Sequence, residues 1–211
     1  MNRFAPLAAL AAIVLTAGFA AAEPTSFVLD RAHSEVGFNV RHFFTQVHGR
    51  FNDYDAAITY DPKNLAASTV SATIRDSSIF TGVDRRDAHL RTQDFFWADK
   101  YPTITFKSTK VLPGKDDKHF QVQGDLTIRD VTKPVTLDTE FLGMGPISMS
   151  GHSIGTQAGF IAKTTINRKD WGIVWNRALD QGGMMLDDDV ELVLNIAATT
   201  PMNPTAAAQK K

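Results

Sequence analysis

The sequence predicts an all-β protein of eight antiparallel strands, and three observations carry that prediction. Apolar and polar residues alternate with period two along most of the chain beyond residue 22, as they must where one face of a sheet is dry and the other wet. Turn residues punctuate the alternation at regular spacing. One stretch, Asp84 to Phe96, breaks the pattern and can support a short helix. These features argue for a barrel or sandwich rather than a βαβ architecture, and such a sheet closed on itself is a barrel with an apolar inside.

The elements follow in order. Val36, Phe38 and Val40 alternate with Gly37, Asn39 and Arg41 as a first strand. Gly49 and Phe51 open a second, which shifts phase at Asn52-Asp53 before Tyr54, Ala56, Ile58 and Tyr60; a shift of one residue is the mark of a bulge. Asp61-Pro62-Lys63-Asn64 is turn chemistry. Val70, Ala72 and Ile74 form the third strand, and Ile104, Phe106 and Ser108 the fourth, closed by Pro113-Gly114. Val122, Gly124, Leu126 and Ile128 make the fifth. A turn over Asp130 to Pro134 precedes the sixth, Val135, Leu137, Thr139 and Phe141. Gly143 to Gly155, rich in Gly, Pro and polar residues, reads as a long loop. Phe160, Ala162, Thr164 and Ile166 form the seventh strand, and Val190, Leu192, Leu194 and Ile196 the eighth.

Between strands three and four, Asp84 is placed to cap a helix, and Leu90, Phe95, Phe96 and Trp97 supply an apolar side. The segment is therefore expected to lie over one barrel mouth as a lid or plug. Its charges, Asp84, Arg85, Arg86, Asp87 and Arg91, read as a solvated face, or as groups reaching the polar head of a ligand whose tail lies inside. Between strands seven and eight, Trp171, Gly172, Trp175 and Gly182-Gly183-Met184-Met185 can plug a barrel end, lap the mouth or meet a second subunit. Asp187-Asp188-Asp189 lacks the alternation and distal Glu of a calcium loop and reads as a solvated turn.

Eight strands enclose a space that side chains can fill or one small ligand can occupy. Ala72, Gly124, Thr139, Ala162 and Thr164 share the inward phase; small inward residues leave room, unless each opposes a large partner across a packed core. Phe dominates the aromatics, with 14 copies, and lines apolar sites without a polar atom to satisfy. The candidate lumen residues are Phe38, Val40, Phe51, Ile58, Val70, Ala72, Ile74, Phe106, Leu126, Ile128, Leu137, Phe160, Ala162, Ile166, Leu192 and Leu194. Arg41, His42, Arg91 and Arg168 are candidates for a polar rim or lid.

At the N-terminus, Arg3, the apolar run Leu7 to Leu15 and Ala20-Ala21-Ala22 form a secretory signal pattern, too short to span a membrane. The expected organisation is a signal peptide over 1–22, a barrel domain over 23–198 and a flexible tail over 199–211, exported to the periplasm without a lipid anchor. Removing 1–22 takes Arg3 from the 22 basic residues and nothing from the 23 acidic ones, so no basic surface is offered to nucleic acid. With no Cys, disulfides, thiol catalysis and thiolate metal sites are excluded.

The catalytic reading is a hydrolase of a lipid or prenyl ester. Its nearest candidates, His33 and Ser34, are strand neighbours pointing to opposite faces, and no Gly-x-Ser-x-Gly occurs. The histidines, including His42, His48, His89, His119 and His152, lack metal-ligand spacing. No cofactor or metal is expected. A third reading is an interaction protein of the stress response with a packed core.

Phe27 to Asp30 with His33-Ser34, Arg41-His42-Phe43, Gly49-Arg50-Phe51, Arg86-Asp87-Ala88-His89-Leu90-Arg91, Asp94-Phe95-Phe96, Tyr101 to Phe106, Val131-Thr132-Lys133-Pro134 and Asn167-Arg168 with Gly172 occur in that order. Together they resemble the YceI-like family of exported lipid-binding proteins, over about residues 27 to 197. The resemblance implies a lipocalin-like barrel whose lumen takes a polyisoprenoid chain, as in a quinone or prenyl phosphate, or another long amphiphile. It implies a periplasmic, non-catalytic carrier or scavenger, dimeric in some members, linked to isoprenoid metabolism, transport or storage, or to stress and acid responses. Asp130 stands where the family's usual Gly precedes Val-Thr-Lys-Pro, and the turn is expected to survive because Asp tolerates positive φ.

Overall fold

The computed structural model describes residues 24–149, 152–180 and 182–201. The signal-peptide region and residues 202–211 of the predicted tail lie outside them. The strands are β1 (Thr25–Leu29), β2 (Glu35–His42), β3 (Thr45–Phe51), β4 (Tyr54–Tyr60), β5 (Thr69–Arg75), β6 (Ile79–Phe80), β7 (Thr103–Pro113), β8 (His119–Ile128), β9 (Val131–Met149), β10 (His152–Asn167) and β11 (Leu186–Thr199). A single α-helix among the described residues, α1 (Asp84–Leu90), lies between β6 and β7.

β1, β4, β5, β7, β8, β9, β10 and β11 pair in that order, and β11 returns to β1 through Val28↔Thr199 and Leu29↔Ala198. The result is a closed, eight-stranded antiparallel barrel. β2 and β3 lengthen two of its staves: β2 pairs with β11 below the β1 contact, β3 with β2, and β6 with β3. Each predicted strand thus has its counterpart, and the predicted phase shift at Asn52-Asp53 is the break between β3 and β4.

The break between β1 and β2 is held by one hydroxyl. Ser34 Oγ donates to the Asp30 and Ala197 carbonyls (2.7 and 3.1 Å) and accepts from the Ala197 N–H at 3.0 Å. It substitutes for ladder hydrogen bonds that the bend removes, as buried backbone groups require. His33 meanwhile turns to Asp30, with Nδ1 2.8 Å from Oδ2. The pair that a hydrolase would need is therefore committed to the backbone and to a carboxylate.

Several expectations are corrected. Gly143 to Gly155 is not a loop: β9 and β10 continue as a long hairpin through most of it, with a register shift between Ser153 and Gly155. Gly143 and Gly155 have φ of 146° and 128°, which only glycine adopts easily, so the glycines shape the hairpin and do not end it. The sheet also reaches past residue 198, because Thr199 pairs with Val28 and Gln157, and Thr200 N donates to Thr156 O at 2.9 Å. Asp187 to Asp189 belong to β11, where Arg41 donates to Asp187, Arg168 and Lys169 to Asp188, and Asn167 to Asp189. In the β8–β9 turn, which is Arg129-Asp130, the positive φ (59°) falls on Arg129 and not on Asp130. Arg129 is held there by donating to Gly172 O and Gln93 O at 3.0 and 2.9 Å.

The helix is capped differently from expectation too. Val83 occupies the N-cap without a side-chain bond, and Asp84 lies in the first turn. The buried Asp87 accepts from the backbone N–H and hydroxyl of Thr81, which fixes the approach to the helix in place of a cap. At its far end Arg91 donates to Ser77 O and Ile79 O at 2.8 and 3.0 Å.

Candidate functional site

The inward faces of the strands line a cavity of about 1170 Å³ with an almost wholly apolar wall. That is at or above the upper end of the usual range for small-molecule sites. Phe38 and Val40 from β2, Phe51 from β3, Ile58 from β4, Val70, Ala72 and Ile74 from β5, and Phe106 from β7 line it. Leu126 and Ile128 from β8, Leu137 from β9, Phe160, Ala162 and Ile166 from β10, and Leu192 and Leu194 from β11 complete the predicted set. They converge because the period of two holds from strand to strand in the observed register. Ala162, for example, pairs with Thr139 on one side and Leu194 on the other.

The small inward residues divide into two kinds. Ala72, Thr139 and Ala162 border the cavity and leave it open. Gly124 does not: a Cβ there would fall 2.5 Å from Cζ of Phe106. Thr164 is also absent from the wall. Lining residues beyond the predicted set include Val36, Ile104, Val122, Val190 and Ile196. All share the phase of predicted neighbours, so periodicity alone could have found them.

One end is closed by aromatic rings. Tyr60 lies 6.1 Å from Phe120, 5.1 Å from Phe141 and 5.1 Å from Phe160, ring centre to ring centre. Burial, helped by Asp61, pushes the Tyr60 phenol above its ordinary pKa. The other end is bounded by α1 and by the chain between β10 and β11. Arg85, Arg86, His89, Phe95 and Phe96 contribute from the lid, Ile173, Trp175 and Met185 from the facing loop, and Leu186 from the start of β11. His89 and Trp175 meet edge to face at 4.9 Å, which joins the two halves of this mouth.

Of the four polar candidates, His42 and Arg168 border the cavity and Arg41 and Arg91 do not. Arg41 is on the outward phase of β2 and pairs with Asp187 at 2.9 Å, holding that carboxyl below its usual range. Arg91 is used up by the Ser77 and Ile79 carbonyls, because its position at the helix end turns it to the adjoining strand. Arg168 is a buried strut: it donates to the carbonyls of Asp187, Ile173 and Trp175 and pairs with Asp188 at 2.9 Å. Burial lowers its pKa, and Asp188 and Asp187 oppose that shift. The lid cations Arg85 and Arg86, read from the sequence as either solvated or head-reaching and outside the rim set, border the cavity; charge on a short helix has no period that distinguishes a mouth from a solvated face. Arg86 is bound to Thr81 through Oγ1 and the carbonyl.

Two of the three tryptophans lie away from the cavity. Trp171 is fully buried, with Nε1 donating to Leu126 O at 3.1 Å, and does not border the cavity. Trp97, expected on the apolar side of the lid, instead meets Tyr101 edge to face and lies under Lys100 Nζ at 4.4 Å. Among the described residues no three His, Asp or Glu side chains converge on a point that could hold a metal ion.

The model of the YceI-like domain matches residues 27–198. The chain belongs to the YceI-like family. Among YceI-like relatives, a UPF0312 protein of Staphylococcus aureus is 39% identical over 168 residues, covering 79% of this chain and 93% of its own. The YceI protein of Campylobacter jejuni superimposes with a TM-score of 0.65 at 32% identity, over 82% of this chain and 96% of that one. A polyisoprenoid binding domain from Saccharophagus degradans, implicated in plant cell wall breakdown, superimposes with a TM-score of 0.59 at 14% identity, over 84% and 99%. The YceI-like architecture is thus the lipocalin-like barrel that the sequence resemblance implied.

Proposed function

We propose that this protein is a non-catalytic, exported binding protein that carries or sequesters a long apolar amphiphile in its lumen. The ligand class is a polyisoprenoid, an isoprenoid quinone or a related lipid, and no cofactor is required. One observation carries the reading: a cavity of about 1170 Å³ whose wall is built from Phe, Leu, Ile, Val and Ala on every stave. At ~30 Å³ per water-sized group, a five-carbon isoprene unit needs roughly 150 Å³, so a tail of several units fits.

Burial of such a tail gains ~0.8 kcal/mol per methylene-sized group, or ~3 to 4 kcal/mol per isoprene unit before the cost of ordering the chain. The wall discriminates by width and depth, and polar groups at the mouth orient the head. The Saccharophagus degradans domain, described as polyisoprenoid-binding, has the same fold and supports the ligand class. The predicted signal peptide supports periplasmic residence.

Mass spectrometry of organic extracts from gently purified native protein tests the reading. A homogeneous lipid at near one copy per chain is the expected result. Protein that carries no lipid and takes up no prenyl alcohol or quinone offered to it would overturn it. Cell fractionation tests the location.

A further inference from the structure

The two-residue tip between β2 and β3 is Phe43-Phe44. Such hairpin tips favour Asn, Asp and Gly, because the chain must adopt positive φ there. Phe43 has φ of 54°, and Phe44 is 98% exposed. Both backbone preference and solvation are thus set against the residues present, and violations of this kind gather at functional positions.

The tip is not isolated. Phe43 N donates to Met185 O at 2.9 Å, and the adjoining His42 and Met185 both border the lumen. Around the same mouth Val83, Val174 and Met184 are 48%, 64% and 53% exposed. Exposed apolar groups therefore ring the opening of the cavity.

We propose that this rim is a membrane-docking surface whose occupant is the face of a lipid bilayer, with Phe44 as the inserting group. The proposal rests on the lumen reading for its purpose, since a docked mouth would let an amphiphile pass between bilayer and barrel without crossing water. A second protein fits the rim poorly. A whole Phe side chain offers about 150–250 Å², so five partly exposed residues supply on the order of 500 Å², against ~800 Å² per partner in a stable interface. The middle of the patch is moreover an opening, where a protein interface would have its most buried contacts. A projecting tip suits a fluid apolar layer. Arg41 and Lys169 beside the rim are paired with Asp187 and Asp188, and Arg85 at the mouth is an exposed cation whose pull on anionic lipid is screened by salt, so docking to a neutral bilayer rests on the apolar groups.

The test is flotation of the full mature chain with phosphatidylcholine vesicles. The wild type is expected to float in low and high salt alike. Phe44→Ser is expected to cut partition about tenfold or more, on the scale of burying one aromatic side chain. Phe44→Trp is expected to shift its emission to the blue when vesicles are added. Absence of flotation, equal flotation of wild type and Phe44→Ser, or dependence on Leu142 of the far-end hairpin instead would overturn the proposal. So would concentration-dependent self-association that Phe44→Ser abolishes while vesicles remain unbound. Ala162→Trp separates the two readings: it is expected to lose geranylgeraniol delivered from ethanol and to keep vesicle binding. A wild type that floats yet never retains geranylgeraniol would sink the lumen reading alone.

Discussion

Phe106 lies over Gly124: a Cβ built on the glycine would come 2.5 Å from Cζ of the ring and 2.6 Å from the backbone oxygen of Lys107. The ring can swing towards the lumen, but the strand behind it cannot yield cheaply. Gly124→Ala should therefore destabilise the fold by about 1–3 kcal/mol, the usual cost of overpacking. Urea denaturation of the two proteins measures it, and an unchanged midpoint would contradict the close approach.

Ala162 is the opposite case, a small residue bordering open space between Thr139 and Leu194. An indole placed there by Ala162→Trp enters the void. The protein should stay folded, within about 1–3 kcal/mol of wild type, and lose its bound lipid. Lipid-to-protein stoichiometry by mass spectrometry decides; retention at wild-type level would count against an open lumen at this height.

Arg168 ties the loop of Ile173 and Trp175 to β11 with three carbonyl contacts and one ion pair. Arg168→Met leaves those carbonyls without their donor, while Asp188 keeps Lys169. A loss of about 3 kcal/mol is expected, since each buried carbonyl left without a donor costs about 1–3 kcal/mol. Because Trp175 borders the mouth, its fluorescence should move to longer wavelength at denaturant concentrations where the barrel is still folded.

Asp76 is completely buried beside the break in the third stave, and neither carboxylate oxygen has a hydrogen-bond partner among the described residues. Burial pushes its pKa from 3.8 to about 7. The folded state therefore holds this proton more tightly than the unfolded one. The resulting stability is complete below the unfolded value and disappears as pH rises through the folded one. At 1.36 kcal/mol per pKa unit the loss is of order 4 kcal/mol. Asp30, Asp116 and Asp187, whose pKa values are lowered, act in the opposite sense but only in acid, below the usual carboxylate range. Denaturation midpoints should thus fall between about pH 4 and pH 7 in the wild type and stay level in Asp76→Asn; parallel profiles would refute the assignment.

Much of this protein could be read from the chain alone. The eight-stranded barrel, the phase shift at Asn52-Asp53 and the inward set from Phe38 to Leu194 follow from a period of two, because a strand has only two faces and burial selects one; that the phase shift is a strand break and not a bulge does not. The ordered motifs from Phe27 to Gly172 carried the family. Local pattern could not tell which small residues leave space, since Gly124 and Ala162 share a phase and differ only in what approaches across the sheet. Nor could it separate Arg41 from His42, one turned to Asp187 and the other to the lumen, or show that Ser34 stitches a bent stave together. These are contacts between residues far apart in sequence. They exist only once the barrel closes, and closure fixes the register, the void and the mouth in one step.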